Sequence, residues 1–358
     1  MNKPILSLNK IKNNLIKWII RSISSQKYLA VQLDITNSCN LKCSHCYRAS
    51  GDCNESLSYE DWNRILNQYQ NLIDKLGLNP IIYFCGGEPM LSPNLQPLIL
   101  NCKRRWPKVR IGIISNGTIL NDSWIECFCR NNISIQISLD GPDNIKHDSI
   151  RGPGAFEKVY SNLEVLVKNN INVSFQAVLS KKSAEWMEDF FLLASSLKID
   201  HIAFNRLIKQ GNAISNIASG KDDVLSPLEL KKAYENIVRL SQKYNIQANT
   251  DAPLFCLINP SMGTHHMLGY QGLVIDYQGN LKVTSRTNVI LGNIIKDGLE
   301  NIFFKNPILM ALRNGEIEKC NKCKFLKICG GDRNAAYAET GSFFSHDPGC
   351  WLNINKDN

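Results

Sequence analysis

Between residues 29 and 244 a short apolar, β-rich run gives way to a helical pattern six times over. The strand candidates are 29–36, 81–85, 109–115, 133–139, 173–179 and 201–207. The helical patterns are 59–76, 94–105, 122–130, 156–168, 183–197 and 227–244. Strands in such alternation lie parallel, joined by right-handed crossovers with the helices outside. Eight units close a barrel. Six leave it open on one side, which predicts room for a large substrate. After residue 245 the helical periodicity fades, turn residues rise and cysteines return. The chain therefore divides into an N-terminal amphipathic helical segment (1–28), an α/β partial barrel of (β/α)6 type (29–244), and a small cysteine-rich domain (245–358). The last is expected to be organised by metal more than by a large core.

Hydrophobic residues make up 44% and charged residues 20% of the 358, as in a soluble globular protein. The early apolar run Trp18-Ile19-Ile20 is broken by Lys17 and Arg21, so no secretory signal is read. No stretch approaches the roughly 20 apolar residues of a membrane span. Thirteen cysteines, clustered rather than scattered, then point to metal-binding thiols in a reducing cytoplasm. The formal charge of +9 suits an acidic peptide partner. No basic run is interleaved with aromatics, so no nucleic-acid site is read. Residues 3–24 set Ile5, Leu8, Ile11, Leu15, Trp18 and Ile19 against Lys10, Lys12, Lys17 and Arg21. Such a segment lies on a membrane surface, holds a partner peptide, or packs as a helix on its own domain.

The sharpest chemical signal is Cys39-Asn-Leu-Lys-Cys43-Ser-His-Cys46. A closed structural zinc or electron-transfer cluster takes four protein ligands. Three leave one metal position open for a small molecule. The thiols follow the first strand directly, at the end where barrel enzymes carry their chemistry. Spacing alone leaves zinc as the competing reading. The second strand ends in Cys85-Gly86-Gly87-Glu88-Pro89. Its glycines let backbone pass close to a ligand, Glu88 offers a carboxylate and Pro89 stiffens the turn. The third strand ends in Ser115-Asn116-Gly117-Thr118, also readable as a helix-capping turn. The fourth runs to Ser138-Leu-Asp140-Gly141-Pro142, followed by His147-Asp148 and Arg151-Gly152. Arg151 suits either a ligand carboxylate or a structural ion pair. Asp140 reads as a strand-end residue that shapes the turn. Gln176 on the fifth strand faces the pocket or a helix.

Together these motifs resemble the radical S-adenosylmethionine (radical SAM) enzymes, whose fold is a (β/α)6 partial barrel. The resemblance implies that Cys39, Cys43 and Cys46 hold a [4Fe-4S] cluster whose fourth iron binds the amino and carboxylate groups of S-adenosyl-L-methionine. It assigns Gly86, Gly87, Glu88 and Pro89 to the cofactor's amino group. Asn116 belongs to the matching turn after strand three, and Ser138 and Arg151 go to the ribose or carboxylate. It also implies electron supply from a donor such as flavodoxin or ferredoxin. The expected chemistry is reductive cleavage to a 5′-deoxyadenosyl radical, which takes a hydrogen atom from an unactivated carbon.

Cys320, Cys323 and Cys329 form C-x2-C-x5-C, and Cys350 completes a set of four, the number for a closed cluster or a structural zinc. With Asp276-Tyr-Gln-Gly279-Asn, Leu291-Gly-Asn-Ile294 and Pro348-Gly-Cys350, this region resembles the SPASM extension of peptide-modifying members. The resemblance runs from residue 29 to 352. SPASM domains usually hold two auxiliary clusters. Here Thr284 and Arg333 stand where thiolates of the nearer one are required, so one auxiliary [4Fe-4S] cluster is expected. Cys256 is then either a buried small hydrophobe or a hydrogen donor to a substrate radical. Cys53, Cys85, Cys102, Cys127 and Cys129 have no partner spacing and read as ordinary core or surface residues.

The resemblance points to oxidative crosslinking, carbon–carbon or thioether, of a ribosomally synthesised peptide. Residues 1–28 are too few for an independent leader-binding domain. A precursor peptide is thus recognised by the barrel opening, the SPASM-like domain or a separate leader-binding protein. The alternatives are a peptide epimerase using Cys256, the same chemistry on a sugar or other small molecule, a sulfatase activator, and a non-catalytic metal-binding scaffold.

Overall fold

The structure, a computed structural model, describes residues 27–48, 56–250, 253–262 and 272–353. The basic segment 3–24 and Cys53 lie outside the described residues. Strands β1 (Tyr28–Asp34), β2 (Asn79–Cys85), β3 (Arg110–Ser115), β4 (Ile133–Ser138), β5 (Asn172–Leu179) and β6 (His201–Arg206) pair in parallel in chain order. Helices connect them, and the partial (β/α)6 barrel of the sequence reading is present.

Each strand alternates between two environments. In β1, Leu29, Val31 and Leu33 are buried against the helices, while Gln32 and Asp34 take the opposite face. The helix Tyr59–Leu76 shows why the outer layer stays in place. Ser58 caps its start by accepting the Asp61 N–H, and Gly77 ends it at φ +67°. Its inner face buries Trp62, Ile65, Leu66, Tyr69, Leu72 and Ile73. The Tyr69 hydroxyl donates to the Leu29 carbonyl at 2.5 Å, fixing the helix to β1.

Two expectations change. The helical pattern 183–197 is two helices, Lys181–Glu185 and Met187–Ser196, hinged at Trp186. Ser180 and Ser183 form a reciprocal capping box, and the Ser183 hydroxyl donates to the Val178 carbonyl at 2.6 Å. That local bonding fixes the first short helix to the end of β5. The second change concerns the C-terminal region, which shares the large apolar core of the barrel. Strand β7 (Gln247–Asn249) adds to β6 in parallel. Strand β8 (Gly272–Ile275) pairs in parallel with β1, and β9 (Asn280–Lys282) and β10 (Ile290–Asn293) follow it antiparallel, completing a ten-stranded sheet. Leu273, Ile275, Leu281, Ile294, Leu299 and Phe303 belong to the same apolar cluster as the barrel. Gln68 ties the two regions, donating to the Ile294 carbonyl at 3.1 Å and accepting the Leu299 N–H at 2.7 Å. Among the described residues no helix is long and apolar enough to cross a membrane.

Candidate active site

A cavity of about 250 Å³ opens where the barrel strands end, and Cys39, Cys43 and Cys46 all line it. Backbone pairing holds their loop. The Ile35 N–H donates to the Cys85 carbonyl at 3.0 Å, the Gly87 N–H to Thr36 at 2.8 Å, and the Glu88 N–H to Ser38 at 2.8 Å. The β1–β2 ladder thus continues past both strands, into the cysteine loop on one side and Gly86-Gly87 on the other. Only glycine fits here. A Cβ on Gly86, at φ +143°, would stand 2.3 Å from the Thr36 carbonyl oxygen, and one on Gly87 2.2 Å from that of Ser38.

Gly86 and Gly87 line the cavity, whereas Glu88 and Pro89 do not. Of the Gly86-Gly87-Glu88-Pro89 stretch assigned to the cofactor's amino group, the two glycines thus face the cavity and Glu88 and Pro89 stand behind them. The Glu88 carboxylate is fully buried. Its Oε1 accepts the Ser115 hydroxyl at 2.9 Å and the Met90 N–H at 3.1 Å, and its Oε2 accepts the Asn116 N–H at 2.7 Å. Burial pushes its pKa up, against those three hydrogen bonds. Glu88 joins the β2 and β3 loops, and Pro89 opens the short turn beside it. Asn116 carries the linkage on: its amide donates to Asn40 Oδ1 at 2.8 Å and lies 3.8 Å from Cys39 Sγ.

Asp140 is a second junction. Its Oδ2 takes Arg151 Nε at 2.5 Å and His45 Nε2 at 2.8 Å, and its Oδ1 accepts the Val178 N–H at 2.8 Å. Burial opposes ionisation, but Arg151 and His45 outweigh it and hold the carboxyl well below the usual range. Arg151 Nη1 also lies 3.8 Å from Cys43 Sγ. Asp140 thus draws His45 of the cysteine loop and Arg151 of the helix Asn144–Arg151 to the ends of β4 and β5. Arg151 and Ser138 both line the cavity, and Gln176 faces it together with Gln32 and Gln136. Period-2 alternation puts these polar side chains inside the barrel.

Burial raises the Cys39 thiol, and raises that of Cys43 to about 11, where Arg151 pulls down and Asp140 and the other two cysteines push up. Thiols so placed need a metal to be thiolates. No group of three or more ligating side chains among the described residues already stands at metal-binding spacing. The fit to a cluster therefore rests on donor chemistry: three thiols around one cavity, with the Asn116 amide and Arg151 guanidinium beside them. That set fits a [4Fe-4S] cluster with an open iron.

In the C-terminal region the Cys323 N–H donates to the Cys320 carbonyl at 2.9 Å. Burial pushes the Cys320 thiol up to about 11, opposed by Arg333 and reinforced by Cys350 and Cys323. Cys256 matches the first of its two readings, the buried small side chain. It is 1% exposed, donates to the Ile328 carbonyl at 3.1 Å, shares a hydrogen bond with Cys329, and does not line the cavity. Its turn, Pro253–Leu257, packs Leu254 and Phe255 into the core and takes the thiol with it. Arg333 is 1% exposed and donates to the Phe343, Ser345 and Gly331 carbonyls at 2.7, 2.5 and 3.2 Å. The Thr284 hydroxyl bonds Asn334. Both positions are filled by non-thiolate bonding.

Several cavity residues escaped the sequence reading: Arg48, which pairs with Asp34; Arg206; and Ser285-Arg286 from the C-terminal region; Cys85, read as an ordinary cysteine, lines the cavity too. Arg206 donates to Asp347 Oδ2 at 2.9 Å, and Asp347 accepts the Asp332 N–H at 2.7 Å. The sequence signal was present, an arginine at the C-terminal end of an apolar strand, but its partner lies far along the chain.

Residues 33–194 match the model of the radical SAM superfamily, so the chain contains a radical SAM domain. Enzymes with that domain use a [4Fe-4S] cluster and S-adenosylmethionine, and the relatives are named as synthases and maturases; the chain is an enzyme, and the reading as a non-catalytic scaffold falls. An AdoMet-dependent heme synthase of Methanosarcina barkeri is 26% identical over 347 residues, covering 88% of this chain and 94% of that one. The antilisterial bacteriocin subtilosin biosynthesis protein AlbA of Bacillus subtilis is 23% identical, covering 92% and 72%. Among solved structures, Streptococcus suis SuiB bound to precursor peptide SuiA superposes with a TM-score of 0.71 at 17% identity, covering 97% of this chain and 83% of that one. That likeness shows the shared fold, over the C-terminal region as well as the barrel.

Proposed function

We propose that this enzyme, working in the cytoplasm, oxidises a ribosomally made peptide and leaves a carbon–carbon or thioether crosslink. The observation that carries the reading is the shape of the site. The cavity shares Arg206, Leu207 and Ile208 with a second one of about 310 Å³, bounded by the barrel and by Ala335, Ala338 and Glu339 of the helix Arg333–Thr340. The two offer an extended chain a path between barrel and C-terminal region. The relation to AlbA and the fold shared with peptide-bound SuiB support it. A precursor peptide and an electron donor such as flavodoxin or ferredoxin are the proposed partners.

In this reading Cys39, Cys43 and Cys46 hold the [4Fe-4S] cluster. The Gly86-Gly87 backbone, Asn116, Ser138 and Arg151 hold S-adenosylmethionine, while Glu88 and Pro89 shape that wall. Cys320, Cys323, Cys329 and Cys350 hold one auxiliary cluster. When bound, the radical cluster and its cofactor supply one-electron cleavage of a sulfonium and hydrogen-atom abstraction from carbon. The protein's own part is to orient and to shield. Arg151 is pre-set by Asp140, so its free donors meet a carboxylate without further ordering. The Gln32, Gln136 and Gln176 amides line the barrel interior with neutral groups.

A second reading has one observation behind it: the similarity to a heme synthase spans nearly all of both chains. It makes the substrate a carboxylate-bearing small molecule. One experiment separates the two. Reduced, reconstituted enzyme is given a peptide encoded beside its gene, or the iron complex of coproporphyrin III, in deuterated water. The peptide is expected to lose about 2 Da, the two hydrogens of a two-electron oxidation, and to take up no deuterium. Deuterium uptake without mass loss marks an epimerase. Consumption of the porphyrin alone establishes the second reading.

A further inference from the structure

Four arginines line the main cavity, Arg48, Arg151, Arg206 and Arg286, and no described lining residue is an aspartate or glutamate. Three of the four are neutralised from behind the wall. Arg48 pairs with Asp34, Arg151 with Asp140 at 2.5 Å, and Arg206 with Asp347 at 2.9 Å. All three carboxylates are buried. Arg286 differs. No ion pair or hydrogen bond joins its guanidinium to any described residue.

Its backbone, by contrast, is held. The turn lies between β9 and β10, where the Arg286 N–H donates to the Thr284 hydroxyl at 3.0 Å. Thr284 is bonded to Asn334, and Thr284 and Thr287 are buried on either side. A half-buried arginine on a fixed turn, facing a cavity without acids, is a cation in want of an anion. Lys282, on the preceding strand, supplies no opposite charge. Nor does Ser285, which lines the cavity next to Arg286 and offers a hydroxyl. The guanidinium fork matches a carboxylate through two parallel hydrogen bonds.

We propose that Arg286, with Ser285 beside it, binds a carboxylate of the substrate and so orients it in the radical cavity. This rests on the reading of that cavity as the place where substrate meets cofactor. The carboxylate belongs either to an acidic residue of a peptide or to an acidic small molecule, and the guanidinium recognises both alike.

The test uses the full chain, reconstituted with clusters and S-adenosylmethionine, and two matched pairs of probes. One pair is coproporphyrin III and its tetramethyl ester. The other is N-terminally acetylated, C-terminally amidated Ala-Ala-Glu-Ala-Ala and its glutamine counterpart, both followed by calorimetry. The acid of at least one pair should bind about ten-fold or more tighter than its neutral partner, the usual worth of a charge-assisted hydrogen bond. Arg286→Gln should erase the preference and Arg286→Lys keep part of it, with iron content and Tm unchanged. The pair that shows it identifies the source of the carboxylate. A second measurement needs no variant. Phenylglyoxal should label Arg286 fastest of the four cavity arginines, and the bound acid probe should slow that labelling while its neutral partner does not. No preference in either pair, a preference surviving Arg286→Gln, or labelling untouched by the acids overturns the proposal. Failure to bind iron or cleave S-adenosylmethionine would instead count against the radical SAM assignment, and the binding comparison would still be read.

Discussion

Arg151 donates through Nε to Asp140 Oδ2 at 2.5 Å while its Nη1 lies 3.8 Å from Cys43 Sγ. One buried ion pair thus sets both a cavity-facing guanidinium and the surroundings of the Cys43 thiol. Removing either partner leaves different damage, which makes the pair testable.

Arg151→Ala should weaken S-adenosylmethionine binding by on the order of 1.5–3 kcal/mol, the worth of a charged hydrogen bond, and leave the iron content intact. Calorimetric titration of the reconstituted protein checks it. Unchanged affinity would make Arg151 purely structural. Asp140→Asn removes the shared acceptor of Arg151 and His45 and strands a buried guanidinium, so stability should fall by on the order of 3–5 kcal/mol. A denaturation midpoint equal to wild type would contradict that.

Gly87→Ala should cost the radical cluster. The new Cβ would meet the Ser38 carbonyl oxygen at 2.2 Å, and backbone on both sides must part. Iron content should drop by about half, the share of one of two [4Fe-4S] clusters. Full iron loading of that variant would show that the cysteine loop does not depend on its pairing with Gly86-Gly87.

Wild-type protein reconstituted without oxygen should carry about eight irons per chain, two [4Fe-4S] clusters. Replacing Cys39, Cys43 and Cys46 together with alanine should leave about four. The motivation is Arg333, whose guanidinium donates to three backbone carbonyls where a second auxiliary cluster would need a thiolate. A wild-type value near twelve would mean that other residues complete a third cluster.

Burial lowers the His147 imidazole to about 4, against the pull of Asp140, while the unfolded chain titrates near 6.5. Its Nδ1 accepts the Asp140 N–H at 3.2 Å, so the neutral ring is the native one. Between about 6.5 and about 4 the unfolded state takes up a proton that the folded state refuses, and stability falls as pH falls through that window. The loss reaches on the order of 2–3 kcal/mol by its lower edge. His147→Asn keeps an acceptor without a titrating ring. Its unfolding free energy should be lower than wild type at pH 7.5 but flatter down to pH 4.5. Parallel curves for the two proteins would dismiss His147 as the source.

How legible all this was depends on whether a constraint is local. The β–α alternation, the three-cysteine loop and the Gly86-Gly87 approach are written in neighbouring residues, because strand period, loop chemistry and glycine's missing side chain act over a few positions. Those readings carried over to the structure with small shifts of boundary. The direction of a side chain at a loop was not local. Glu88 turned inward because Ser115 and the Asn116 N–H, on another strand, complete its hydrogen bonds. Cys256 turned from the cavity towards Cys329 because its turn is packed with the core. Gln176 was undecided until its neighbours in the sheet fixed which face looked inward.

The sequence by itself determined the class of chemistry: three thiols after a first parallel strand, a glycine pair after the second, a (β/α)6 repeat around them. Tertiary structure alone decided which charges the cavity keeps. Arg48, Arg151 and Arg206 are cancelled by Asp34, Asp140 and Asp347, and Arg286 is left without an acidic partner among the described residues. Asp347 stands 141 residues from Arg206, and Arg286 reaches the cavity only because β8 pairs with β1. Charge balance in a buried site is set by distance in space, and separation along the chain carries no information about it.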